Sequence, residues 1–76
     1  MKFLDRLRRF KRLDELIRRK GTGTPAQLAE RLNVSKPTVV RYIRLLRDLG
    51  AQLEYDAWRK TYHYTDDFKL DLNKIV

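Results

Sequence analysis

The stretch Thr24-Pro25-Ala26-Gln27-Leu28-Ala29-Glu30-Arg31-Leu32-Asn33-Val34-Ser35-Lys36-Pro37-Thr38-Val39-Val40-Arg41-Tyr42-Ile43 decides how this chain folds. Thr24 has the chemistry of an N-cap, and Pro25 sits where a missing N–H is harmless. Gln27, three positions on from Thr24, completes a capping box, so a helix starts here. Leu28, Ala29 and Leu32 fall on one face of it. Asn33 and Val34 break the period, and Ser35 then caps a further helix with Pro37 in its first turn. Val39, Tyr42, Ile43, Leu46 and Leu49 recur at helical spacing as its buried stripe, and Gly50 is its stop. Two helices joined by about three residues, the second opening with small polar and basic side chains, form a helix-turn-helix arrangement. Ala29 supplies the small side chain needed where the helices cross. Leu28, Leu32, Val34, Val39 and Tyr42 supply apolar contacts on either side of the turn.

Upstream, Phe3, Leu4, Leu7, Phe10, Leu13, Leu16 and Ile17 recur every three or four residues, which predicts a long amphipathic helix over residues 1–20. Arg18, Arg19 and Lys20 suit the negative end of its dipole, and Gly21 is expected to take the left-handed conformation that stops it. Downstream of Gly50 the period drops to two. Leu53 and Tyr55 alternate against Gln52 and Glu54, and Tyr62 and Tyr64 against Thr61 and His63, which predicts a hairpin over residues 52–64. Its tip, Asp56-Ala57-Trp58-Arg59-Lys60, lacks the Asn-Gly or Asp-Gly pair that fixes a tight turn. After the polar break Thr65-Asp66-Asp67, the alternation of Phe68, Leu70 and Leu72 predicts a third strand or an extended arm over residues 68–72. The reading is one domain over residues 1–76, mainly α with a small β-hairpin: three helices, with residues 25–50 as the helix-turn-helix, and a wing.

Composition narrows the function. The chain has 76 residues, no cysteine and a formal net charge of +8. Residues 1–24 carry nine Lys and Arg against three acids, residues 25–50 five against two, and residues 51–76 four against five. A positive field of that size attracts polyanions, nucleic acid first among them. Without cysteine there is neither a disulfide framework nor a thiolate metal site. His63 has no partner at metal or nucleophile spacing, and Asp66-Asp67 lacks the further ligands of a calcium loop. Gly21-Thr22-Gly23 follows a helix and lacks the later glycine and lysine of a phosphate loop. No enzyme chemistry, no cofactor and no small-molecule ligand is expected. The N-terminus meets charges before any apolar run of signal-peptide length, and no apolar run is long enough to span a membrane, so a cytoplasmic location is expected.

From about Leu13 to Leu72 the chain resembles the type-11 helix-turn-helix domains, winged helices similar to the N-terminal domains of DeoR-type regulators and of the biotin operon repressor. The resemblance is carried by Ile17-Arg18-Arg19-Lys20-Gly21-Thr22-Gly23-Thr24-Pro25, Leu28-Ala29, Leu32-Asn33-Val34-Ser35, Thr38-Val39, Arg41-Tyr42-Ile43, Leu49-Gly50-Ala51 and Tyr55-Asp56. It implies a bacterial regulator that places its third helix in the major groove of double-stranded DNA and its wing against the neighbouring backbone. Two departures stand out. Asn33 occupies a turn position often held by glycine, which Asn's tolerance of positive φ permits, and the helix before Leu13 is longer than the family core requires, leaving residues 2–12 without an assigned role.

The outward positions near the start of the third helix are Ser35, Lys36, Pro37, Thr38, Val40, Arg41 and Arg44. Arg41 is the best candidate for base contact, since its planar fork reaches guanine O6 and N7 together. Val40 suits a thymine methyl, and Lys36, Arg44, Ser35 and Thr38 suit phosphates. A solvated face is the plain alternative for Arg41, Arg44 and Arg47. In the wing, Trp58, Arg59 and Lys60 either reach DNA at an exposed tip or, for Trp58, fold back onto the sheet as core. Tyr42, Tyr55, Tyr62 and Tyr64 read as core residues with a polar tip. Dimerisation through the N-terminal helix or the C-terminal strand would double the contacts and create two half-sites. The rival function is a protein-interaction module, using an uncovered end of the Phe3–Phe10 stripe. RNA binding or a membrane-surface helix rests on the basic N-terminus alone.

Overall fold

A computed structural model describes residues 2–71 and contains, in chain order, α1 (Lys2–Arg18), α2 (Pro25–Leu32), α3 (Lys36–Asp48), β1 (Leu53–Asp56) and β2 (Thr61–Tyr64). The architecture is mainly α with one small antiparallel hairpin, as the change of period predicts. The helix starts follow from their caps. Thr24 Oγ1 accepts the Gln27 N–H at 3.2 Å while Gln27 Oε1 accepts the Thr24 N–H at 2.9 Å, the reciprocal pair of a capping box. Ser35 Oγ accepts the Thr38 N–H at 3.3 Å at the head of α3.

The three helices end in one way. A left-handed residue follows each, Lys20 (φ 56), Asn33 (φ 55) and Gly50 (φ 106). The next N–H, of Gly21, Val34 or Ala51, then reaches back to the carbonyl of Leu16, Ala29 or Leu46 at 2.9, 2.9 and 3.0 Å. Asn33 and Gly50 take the left-handed conformation their residue types favour. At the first end the expectation is corrected: Lys20, not Gly21, is left-handed, and α1 stops at Arg18 rather than at residue 20. The cause lies downstream. Thr22 is completely buried, with its N–H and hydroxyl directed at Thr61 of β2, and bringing Thr22 to that strand requires the chain to leave the helix before Lys20.

Leu13, Ile17, Leu28, Val39 and Leu46 are fully buried, joined by Phe10, Leu16, Ala29, Leu32, Ile43, Ala51 and Leu53. Burial of each large aliphatic side chain stabilises the fold by about 1.5–3 kcal/mol. Tyr42, Leu49, Tyr62 and Tyr64 pack half-buried around this core. The hairpin pairs Leu53 with Tyr64, Glu54 with His63, Tyr55 with Tyr62 and Asp56 with Thr61. That register puts the Tyr55 and Tyr62 rings edge to face at 5.0 Å. His63 is half-buried.

Two polar clusters, the first of them built on the buried Thr22 and Thr61, fasten the wing to the helices. Thr22 Oγ1 accepts the Tyr62 N–H at 2.8 Å, and Thr61 Oγ1 accepts the Thr22 N–H at 3.2 Å. In the second cluster the Tyr64 hydroxyl donates to Asp14 Oδ1 at 2.6 Å and Arg18 Nε donates to Asp14 Oδ2 at 3.0 Å. Burial, and then the bond to the Asp14 carboxylate, push the Tyr64 hydroxyl well above its usual range of ionisation.

No third strand forms among the described residues, so of the two forms expected for residues 68–72 the arm is the one found; Leu72 lies outside the described residues. Side chains have taken the backbone groups that a ladder would use. The Phe68 N–H is held by Asp66 Oδ1 at 3.1 Å, and the Phe68 carbonyl accepts from Arg18 Nη2 at 3.2 Å. Phe68 and Leu70 still pack on the core, with the Phe68 ring 5.3 Å from that of Tyr64.

Candidate nucleic-acid interface

With Val39, Ile43 and Leu46 turned inward, the opposite side of α3 presents Lys36, Pro37, Val40, Arg41 and Arg44, all exposed. Val40 is 54% exposed on this ridge. Ser35 is exposed and Thr38 half-buried, and their hydroxyl oxygens lie 3.0 Å apart. One hydroxyl proton is spent between them, which leaves the other free to donate to an anion.

Clefts run along both flanks of this ridge. On the wing side Val40, Ile43, Arg44 and Arg47 of α3 face Tyr55 and Tyr62 of the hairpin across one groove. Arg47 Nη2 donates to the Leu53 carbonyl at 3.3 Å and so brackets helix to wing. On the other side Ser35, Thr38, Arg41 and Tyr42 face Arg6 and Arg9 of α1 and Val34 of the turn. Arg44 thus borders the wing, Arg41 lines the opposite cleft, and Lys36 is exposed at the head of the helix. Arg6 and Arg9 are the residues that sequence reasoning missed. Their i, i+3 spacing was visible, but nothing local says that this face of α1 lies beside Arg41.

The wing tip is ordered by its own side chains. Asp56 Oδ1 accepts the Trp58 N–H at 2.9 Å and the Arg59 N–H at 3.1 Å, and Lys60 turns the chain back at φ 55. The Arg59 N–H chiefly, with that of Trp58, holds the Asp56 carboxyl below its usual range. This local turn aims Trp58 outward: it is 93% exposed, so the folded-back alternative is set aside. Arg59 and Lys60 are exposed beside it.

The Phe3–Phe10 stripe is only partly covered. Phe10 is buried and its ring meets Tyr42 at 5.8 Å, whereas Phe3, Leu4 and, from α3, Leu45 are exposed. Among the described residues no helix is long and apolar enough to cross a membrane, and no group of three or more His, Cys, Asp or Glu is placed to hold a metal ion.

A pair of crossed helices with a capped turn between them, a third helix packed behind and a two-stranded hairpin alongside is a winged helix-turn-helix, a class built to present one helix to nucleic acid. The family model described as an HTH domain matches residues 8–62, and the chain belongs to that helix-turn-helix family. The match begins within α1 and runs through the wing into β2. Neither a curated protein nor a solved structure gave a significant match.

Proposed function

We propose that this chain binds double-stranded DNA with sequence preference and acts as a small transcriptional regulator in the cytoplasm, without enzymatic activity. The observation that carries the reading is the common exposure of Lys36, Val40, Arg41 and Arg44 on the outward ridge of α3, with Arg44 facing the wing across a cleft. In this reading α3 lies in the major groove, whose width of about 12 Å admits a helix. Arg41 reads guanine, Val40 meets a thymine methyl, and Lys36 and Arg44 hold phosphates. Trp58, Arg59 and Lys60 bring the wing to the adjacent backbone or minor groove. The test is selection from a random-sequence duplex pool at several salt concentrations, with wild type and Arg41→Ala. A consensus that relaxes at one base pair in the variant supports direct readout, worth about 1–3 kcal/mol at that position. Weak binding that vanishes with salt and ignores Arg41 refutes it.

A second reading, docking of another protein chain, is favoured by one observation. Phe3, Leu7 and Leu45 line an uncovered apolar cleft where α1 passes α3, and Leu4 is also exposed on α1. A second copy of the chain is the occupant most compatible with DNA binding, since a two-fold pair presents two half-sites. Sedimentation of wild type and Phe3→Ser separates the two: a dimer abolished by the substitution supports the interface, and a monomer in both removes it.

A further inference from the structure

We infer that the N-terminal half of α1 is a second DNA-backbone clamp, with Arg6 and Arg9 closing on a phosphate together with Ser35 and Thr38 beside Arg41. The inference rests on the DNA-binding reading and gives residues 2–12 a role in it. A helix seated in the major groove has a sugar-phosphate strand on each side. The wing covers one flank of α3; the flank opposite is walled by Arg6 and Arg9.

The cleft has the chemistry a phosphate needs. Three guanidinium groups from two helices line it, with two hydroxyl groups at the head of α3 and no carboxylate. Elsewhere on α1, Arg18 pairs with Asp14 at 3.0 Å and Arg12 with Glu15 at 4.0 Å, while Lys2, Arg8 and Lys11 line none of the cleft. Among the described residues Arg6, Arg9 and Arg41 have no such ion pair, so their repulsion is relieved when an external anion enters between them. Planar forks matched to phosphate oxygens make arginine suited to the task. The free hydroxyl proton of the Ser35–Thr38 pair adds a neutral donor at the same mouth. Arg41 lies at the boundary between cleft and ridge, so it can serve a phosphate on one side or a base on the other.

The test compares two doubly substituted chains of equal net charge, Arg6→Gln with Arg9→Gln, and Arg8→Gln with Lys11→Gln. Arg8 and Lys11 lie on the same helix with the same spacing but line none of the cleft. The probe is a random-sequence duplex of fixed length, because backbone contacts are sequence-independent. The readout is the slope of log Kd against log salt concentration, with circular dichroism confirming the fold. Each lost phosphate contact lowers the slope by about 0.9. The Arg6/Arg9 variant is therefore expected to lose about one unit of slope, while the Arg8/Lys11 variant loses clearly less. Equal losses in the two variants, or none in the first, overturn the clamp and leave DNA binding standing. If the wild type fails to bind the duplex at all, the DNA reading and the clamp fall together.

Discussion

Replacing Thr22 by valine keeps the volume and branching of a fully buried side chain but removes its hydroxyl. No cavity opens, so the cost is almost wholly polar. The Tyr62 N–H loses its acceptor at 2.8 Å, and the hydroxyl contact with Thr61 at 3.1 Å disappears. A buried donor left unpaired costs about 1–3 kcal/mol, offset by less than about 0.8 kcal/mol from the added methyl group. A net loss of about 1.5 kcal/mol is expected, against a total of roughly 4–11 kcal/mol for a chain of this length. The melting temperature should fall by about 6–12 °C, at roughly 4–8 °C per kcal/mol for a small domain. Thermal and urea unfolding followed by far-ultraviolet circular dichroism measure both. Thr61→Val should show a similar loss, and the double variant should lose less than the sum by at least about 0.5 kcal/mol, because the two residues share one network. A Thr22→Val chain within about 0.5 kcal/mol of wild type, or strict additivity, would refute the idea that this pair fastens the wing.

Lys20→Gly should stabilise the fold by about 1 kcal/mol, since a side chain in the left-handed region is strained where glycine is not; chemical denaturation checks this, and a loss of stability contradicts the assigned helix end. The Asp56 carboxyl is held below its ordinary value of 3.8, so its contribution is present above that value and is lost as pH falls through the lower folded one. Amide exchange at Trp58 and Arg59 should therefore quicken as pH falls below about 4, relative to the intrinsic rate, and Asp56→Ala should abolish that dependence. Trp58→Ala should leave stability within about 0.5 kcal/mol of wild type, its ring being nearly free of the fold, while weakening duplex binding at least severalfold; unaltered binding would remove the wing tip from the interface.

What the sequence shows of this fold is what neighbouring residues settle among themselves. Thr24 with Gln27, Ser35 with Thr38, Asn33 and Gly50 each act within a few positions, and each does what its side-chain chemistry predicts. The left-handed Lys20 does not follow that rule, because its cause is the bond between Thr22 and Thr61, partners 39 residues apart. Asp14 reads as a charge on the edge of an apolar stripe, and only the arrival of Tyr64, 50 residues later, explains its burial. The candidate interface divides in the same way. The α3 ridge is legible from helical spacing, whereas the Arg6–Arg9 wall depends on how α1 crosses α3. Trp58 was ambiguous because its type favours burial while its position favours exposure. The Asp56 turn decides between them.

Trp58 is the only tryptophan in the chain. Its indole already sits in water when the protein is folded, so its emission is that of a solvated ring and should scarcely change when the domain unfolds. The same isolation makes it a selective optical sensor. Any base, phosphate strand or protein surface that settles on the wing alters the light from a single known position, without a label and without interference from the core.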